Sequence, residues 1–339
     1  MPYGYPSGHS LRQMLIDPSL FAPAISKQSI DQNDVDAFCR IFMLSGMKSI
    51  DAFLARRGKS YLNDGQKTIE DIGKYGIALA LRQNKSLDTL FHNPRLRDGE
   101  GGIVHRDNWY EYLWAQLSLS INGSNLAEFS RTRLTVVTFN YDLSLEHYLF
   151  TAAKHSYDLA DDEATKLLEP IKFIHLYGQL SGNPFSRNFC YEFKFQNDFR
   201  LISKDAALIQ VIDEQRELEL SNFPKASDAL TKAQRICFLG FGFDETNVRR
   251  LGLPRVFLNR ARANDVSIDP FPFPQVVATS LGFEVAERLA KQQLLTTEVS
   301  RGSGPRGGFG MFARSINEGF ADYTDCKSET ALRRSQILF

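Results

Sequence analysis

No C-x-x-C pair joins any of the four cysteines, Cys39, Cys190, Cys237 and Cys326, so neither a zinc site nor a disulfide framework is indicated. No apolar run reaches the ~18 residues a membrane span requires, and residues 1–30 lack a charged start followed by an apolar stretch and a cleavage site. A cytoplasmic protein with reduced thiols and no membrane association is expected. Charge of one sign is not in excess, because 40 basic residues balance 40 acidic ones. That balance removes whole-chain attraction as a reason to expect nucleic acid as the main partner. No internal repeat of fixed period is visible.

What is present is apolar side chain, 43% of 339 residues, enough to bury a core as one large domain or two smaller ones. Met1 to Gly8 is rich in turn formers. From Val35 to about Leu81 apolar residues recur at helical spacing, as in Phe38, Ile41, Phe42 and Leu44, then Ile50, Phe53 and Leu54, then Ile69, Ile72, Ile77, Leu79 and Leu81. Two or three helices are expected there. A loop is expected over 93–106, then a helix capped by Asp107 and running through Trp109, Tyr112, Leu113, Trp114 and Leu117.

The segment Leu134-Thr-Val-Val-Thr-Phe139 is β-branched and unbroken, as expected of a strand buried on both faces of a parallel sheet. Three further strands are expected at Ile171–Leu176, Arg235–Gly240 and Val276–Thr279, with a helix-rich stretch from about Asp205 to Lys232 and a helix through Leu289. Strand, turn and helix in alternation predict an α/β fold with a doubly wound parallel sheet. Beyond about Glu298, glycines without periodicity predict a flexible tail over 298–339.

In open α/β sheets ligands sit beyond the carboxyl ends of the strands. The first strand delivers Asn140-Tyr141-Asp142, the second His175 and Gly178, and the third Gly240, Gly242 and Asp244 followed by Asn247. Amide, carboxylate, imidazole and glycine turn together suit a nucleotide: backbone N–H groups approach phosphates, polar side chains bind ribose hydroxyls, and a histidine takes a proton. Each piece also has a structural reading. His175 in an apolar strand fits a hydrogen-bonded core residue, Asn140 and Asp142 fit helix caps before Leu143, and the G-F-G-F turn fits a simple strand end.

The order of these pieces resembles the sirtuin-like superfamily, in particular the bacterial sirtuin-like domains of anti-phage systems that destroy NAD. The resemblance runs through Gly4-Tyr-Pro-Ser-Gly8, Ser49-Ile-Asp-Ala-Phe-Leu54, Trp109-Tyr110 with Leu113, and Val136-Val-Thr-Phe-Asn-Tyr-Asp142. It continues through Ile174-His-Leu-Tyr-Gly178, Phe238-Leu-Gly-Phe-Gly-Phe243 with Asn247, and Ala278-Thr279 with Gly282. It implies a Rossmann-like NAD-binding domain over 1–297 with a helical subdomain inserted at about 31–130.

By that resemblance Asn140 lies at the nicotinamide ribose and positions water or stabilises the reacting centre. Asp142 supports the pocket, and His175 is the general base at a ribose hydroxyl. Thr138, Tyr141 and Gly178 line the cofactor site. Gly240, Gly242 and Phe243 border the phosphates and second ribose with Asn247 nearby, Thr279 approaches the adenine end, and Pro6 and Ser7 cover the nicotinamide side.

The implied activity is NAD hydrolysis to nicotinamide and ADP-ribose, with NAD as substrate, no metal, self-association into a homo-oligomer and a partner protein in a defence system. The alternative is a non-catalytic module that senses NAD or a related nucleotide, or that scaffolds an oligomer. Protein deacylation is not expected, since the paired-cysteine zinc module of deacylating sirtuins has no counterpart between His175 and Gly240. Relatives of this kind open on a strand ending in G-x-G-x-S, and Met1 falls just past it. A truncated or misassigned start, with the central strand encoded upstream, is therefore expected.

Overall fold

Ser7 starts the first helix by accepting the Ser10 N–H on its hydroxyl at 3.1 Å, so Gly8 opens α1 (Gly8–Leu15) instead of closing a turn. The computed structural model describes residues 6–63, 65–83, 90–91, 109–119, 121, 125–185, 199–211, 221–253, 256, 275–279, 287, 289–291, 293 and 295. Outside them lie Gly4, the 93–106 loop, Asp107, Cys190, Gly282, Cys326 and the 298–339 tail.

The chain divides into two compact units. The first comprises Met1–Arg106, Gly123–Thr132 and Val136–Leu220, and the second Asp107–Asn122, Arg133–Thr135 and Ser221–Phe339. In the first, α1 is followed by a 3-10 turn (Pro18–Phe21), α2 (Ala22–Ser26), α3 (Gln32–Leu44), α4 (Ile50–Arg57) and α5 (Ile69–Gln83). Where the apolar spacing over 35–81 predicts two or three helices, three form, α3, α4 and α5. Asp31 and Ser49 cap α3 and α4 through their side chains. The apolar face of α3 meets the others in a cluster of rings. Phe38 lies 6.4 Å from Phe21 and 6.2 Å from Phe53, and Phe42 lies 4.6 Å from Phe53. Each ring fully removed from water contributes about 1.5–3 kcal/mol.

Then come α6 (Trp109–Leu119, in the second unit), a 3-10 turn (Leu126–Arg131), β1 (Thr135–Thr138), α7 (Ser144–Tyr157), α8 (Asp161–Leu168), β2 (Lys172–His175) and α9 (Phe199–Leu208). The second unit continues with α10 (Phe223–Lys232), β3 (Arg235–Phe238), α11 (Glu245–Arg250) and β4 (Gln275–Ala278). Residues 287, 289–291, 293 and 295 are also helical. The stretch expected to be helix-rich from Asp205 begins earlier, at Phe199, and residues 209–211 are already outside helix.

The architecture is mixed α/β, helices with small parallel sheets. β1 pairs with β2, and β3 pairs in parallel with β4, Arg235 opposite Gln275 through Phe238 opposite Ala278. All four expected strands exist, the first three shorter than their apolar runs and β4 as long as its own but one residue earlier, at Gln275–Ala278. The expected burial of β1 on both faces is not what forms: Thr135 is exposed and the next three residues are half-buried. Among the described residues this sheet has two strands, so an unbroken β-branched run overstated the cover they give it. Among the described residues no helix is long and apolar enough to cross a membrane.

Candidate functional site

β1 and β2 run side by side, so residues 35 positions apart meet where they end. The Leu176 N–H donates to the Thr138 carbonyl at 3.0 Å, and the Leu180 N–H donates to the Tyr141 carbonyl at 2.8 Å. These bonds tie the Asn140-Tyr141-Asp142 turn to the chain leaving β2. Within the turn, the Thr138 hydroxyl accepts the Asn140 N–H at 3.0 Å. The Asn140 residue is exposed.

His175 sits beneath it, 4% exposed, between two oxygen acceptors. Nδ1 faces the Asn140 carbonyl at 2.9 Å and Nε2 faces Oε1 of Glu146 at 2.6 Å. A carbonyl cannot donate, so Nδ1–H does. Burial alone would lower the imidazole pKa, but the hydrogen bond and charge of Glu146, then the Asn140 carbonyl and Asp142, outweigh it and raise it above the ordinary histidine value.

Glu146 is 5% exposed and lies on the buried first half of α7. Its contact with His175 was missed in the sequence, although an acid flanked by Leu145, Tyr148, Leu149 and Phe150 was the available signal. Asp142, one helical turn earlier, accepts the Ser144 N–H at 3.1 Å and the Ser144 hydroxyl on the same oxygen. These bonds form an Asx-type turn just ahead of α7, whose N-cap position is Leu143. Tyr141 is buried and its hydroxyl donates to Asp51 on α4, so its pKa stands well above the ordinary value, through burial first and then the Asp51 charge and hydrogen bond. Asp51 lies within the Ser49–Leu54 segment singled out above, although its contact was not foreseen.

Gly178 is buried at φ +80°, and a Cβ there would meet the Leu208 carbonyl oxygen at 2.1 Å. The H-L-x-G glycine is thereby required by the close passage of α9. Ser7, half-buried, caps α1 with Pro6 just ahead of it. A second buried network in the same unit joins Arg82 of α5, Asp205 of α9 and Ser181. Asp205 accepts from the Arg82 guanidinium, from the Ser181 N–H at 2.6 Å and from the Ser181 hydroxyl at 2.5 Å.

The second unit holds the remaining expected residues. The Gly240 N–H donates to the Thr279 hydroxyl at 2.7 Å, linking the ends of β3 and β4. Gly240 takes φ +62°, and a Cβ would meet no atom within 4 Å at Gly240 or Gly242, so both glycines leave their backbone approachable. Phe243, also left-handed at φ +49°, is wholly buried, its ring 5.2 Å from Phe238 and 4.7 Å from Phe241. It serves the core, not a ligand surface. Asp244 caps α11, accepting from the Thr246 and Asn247 N–H groups at 3.0 and 3.3 Å. Among the described residues no group of three or more His, Cys, Asp or Glu is arranged to hold a metal ion. The chain matches no known protein-family model, no curated protein and no solved structure.

Proposed function

We propose that the chain is a sirtuin-like NAD glycohydrolase with a Rossmann-like sheet, a cytoplasmic bacterial anti-phage effector that works as a homo-oligomer with a partner protein. The observation that supports it most is the meeting of Asn140 and His175 at the adjoining ends of β1 and β2, the residue types and the strand ends the chemistry calls for. In this reading the bond between nicotinamide and ribose breaks with its electron pair leaving on nicotinamide. Water adds to the ribose carbon, and one proton is released. The exposed Asn140 amide orients that water. Asp142 shapes the turn that carries Asn140. Thr138 and Tyr141 hold the same turn, the first by accepting the Asn140 N–H and the second through its hydroxyl on Asp51.

A histidine acting as general base on a ribose hydroxyl needs a free ring nitrogen, so one of the two His175 bonds must open for that step. That both nitrogens are engaged favours a second reading, in which the chain binds NAD or a related nucleotide without turning it over. Nicotinamide release measured alongside titration calorimetry with NAD separates the two. Hydrolysis predicts release by the parent chain and a loss of roughly 10²-fold or more in Asn140→Ala and His175→Ala with folding retained. Binding without release supports the sensor, and parental rates in either variant would remove that residue from the mechanism.

A further inference from the structure

Two buried acidic side chains face the end of β2, where His175 sits with both ring nitrogens in hydrogen bonds. Among the described residues the charged groups facing the His175 ring include Glu146 from α7 and Asp142 from the turn ahead of it, 5% and 8% exposed. His147, next to Glu146, is engaged elsewhere, with Nδ1 at 2.9 Å from the Pro184 carbonyl. Nδ1 of His175 donates to the Asn140 carbonyl, and the 2.6 Å approach of Nε2 to the Glu146 carboxylate needs a proton between them. A neutral ring with its proton on Nδ1, beside an ionised glutamate, would leave two lone pairs facing each other at 2.6 Å, too close for a water to separate them.

We propose that Glu146 is a positioning residue: it keeps His175 doubly protonated, so that the imidazolium braces the Asn140 carbonyl and holds the exposed Asn140 amide at the end of β1. The chain of contacts runs from Glu146 on α7 through His175 on β2 to Asn140 after β1, three segments joined by two hydrogen bonds. An imidazole donating from both nitrogens has no lone pair for a ribose hydroxyl. The brace and the general base therefore demand opposite pH profiles. A base works only once deprotonated, so activity would rise through the His175 titration. A brace works only while charged, so activity falls through the same titration.

The consequence for catalysis rests on the NAD reading, while the protonation state does not. The experiment pairs ring-nitrogen NMR titration of His175 in the full chain, assigned by comparison with His175→Gln, with the pH profile of nicotinamide release. Parent, Glu146→Gln and Glu146→Asp are measured, each checked for folding by circular dichroism. The brace predicts both His175 nitrogens protonated at pH 7 in the parent, a fall of about one pH unit or more in Glu146→Gln, and substantial recovery in Glu146→Asp. It also predicts kcat lower by roughly 10²-fold in Glu146→Gln near neutrality, with KM within about twofold.

A neutral His175 at pH 7 in the parent, an unchanged titration in Glu146→Gln, or activity that rises through the His175 titration would overturn the brace. If Glu146→Gln fails to fold, the parent titration and Glu146→Asp decide. If the parent releases no nicotinamide, the functional reading falls, and the NMR titration still decides whether Glu146 holds His175 in its charged form.

Discussion

At Gly178 the close passage of backbone decides which side chain is tolerated. Its φ of +80° is unfavourable for any residue with a Cβ, and that Cβ would sit 2.1 Å from a backbone oxygen which cannot swing aside as a side chain would. Gly178→Ala is expected to destabilise the first unit by at least about 2 kcal/mol, checked by urea denaturation followed by circular dichroism. A change below about 0.5 kcal/mol, the range of ordinary surface substitutions, would mean that Leu208 and α9 relax freely. Phe243 tolerates a similar backbone conformation for another reason: its ring is wholly buried against Phe238 and Phe241, and that burial offsets the strain. Asn140 is the reverse case, a residue with its side chain exposed and its carbonyl held by His175.

Helices α5 and α9 are joined by the buried pair Arg82 and Asp205, at 2% and 0% exposure, with Ser181 donating twice to the same carboxylate. Removing one partner strands the other charge away from water, so Asp205→Ala is expected to cost about 3–5 kcal/mol. Thermal unfolding followed by circular dichroism measures this, and a shift no larger than that of a surface control would show that Arg82 finds solvent or another acceptor. Elements of this kind differ in how legible they are. The helices carrying Phe38, Phe53 and Ile77 follow from apolar spacing, and β3 and β4 from apolar runs ended by glycine or threonine, because those signals are local. Asn140 and His175 are likewise visible as residues that end strands. Glu146, the partner of His175, is not, because spacing along α7 says which face is buried but not which atom of β2 lies opposite. For the same reason Tyr141 reads as a cofactor-site residue until its hydroxyl is seen on Asp51. The burial of β1 was overread because periodicity reports the chemistry of a strand, not how many neighbours cover it.

Over the whole molecule, stability depends on pH through groups whose proton affinity differs between the folded and unfolded chain, and among the described residues two buried histidines are such groups near neutrality. Two histidines in the first unit act in opposite directions. His175 is raised, so its contribution is fully present below the unfolded value of about 6.5 and is lost as pH rises through its folded value. His147 is lowered, chiefly by burial and despite its bond to the Pro184 carbonyl, so protonation favours the unfolded chain and stability is lost as pH falls below about 6.5 toward its folded value. Together they place a stability maximum near pH 6.5 with a decline on either side. Thermal midpoints taken from about pH 5 to about pH 8.5 are expected to show it. His175→Gln should flatten the alkaline limb, and His147→Gln the acid limb down to the point where carboxylates begin to protonate. An alkaline decline that persists unchanged in His175→Gln would assign it to other groups and would remove the charged form of His175 from the folded state.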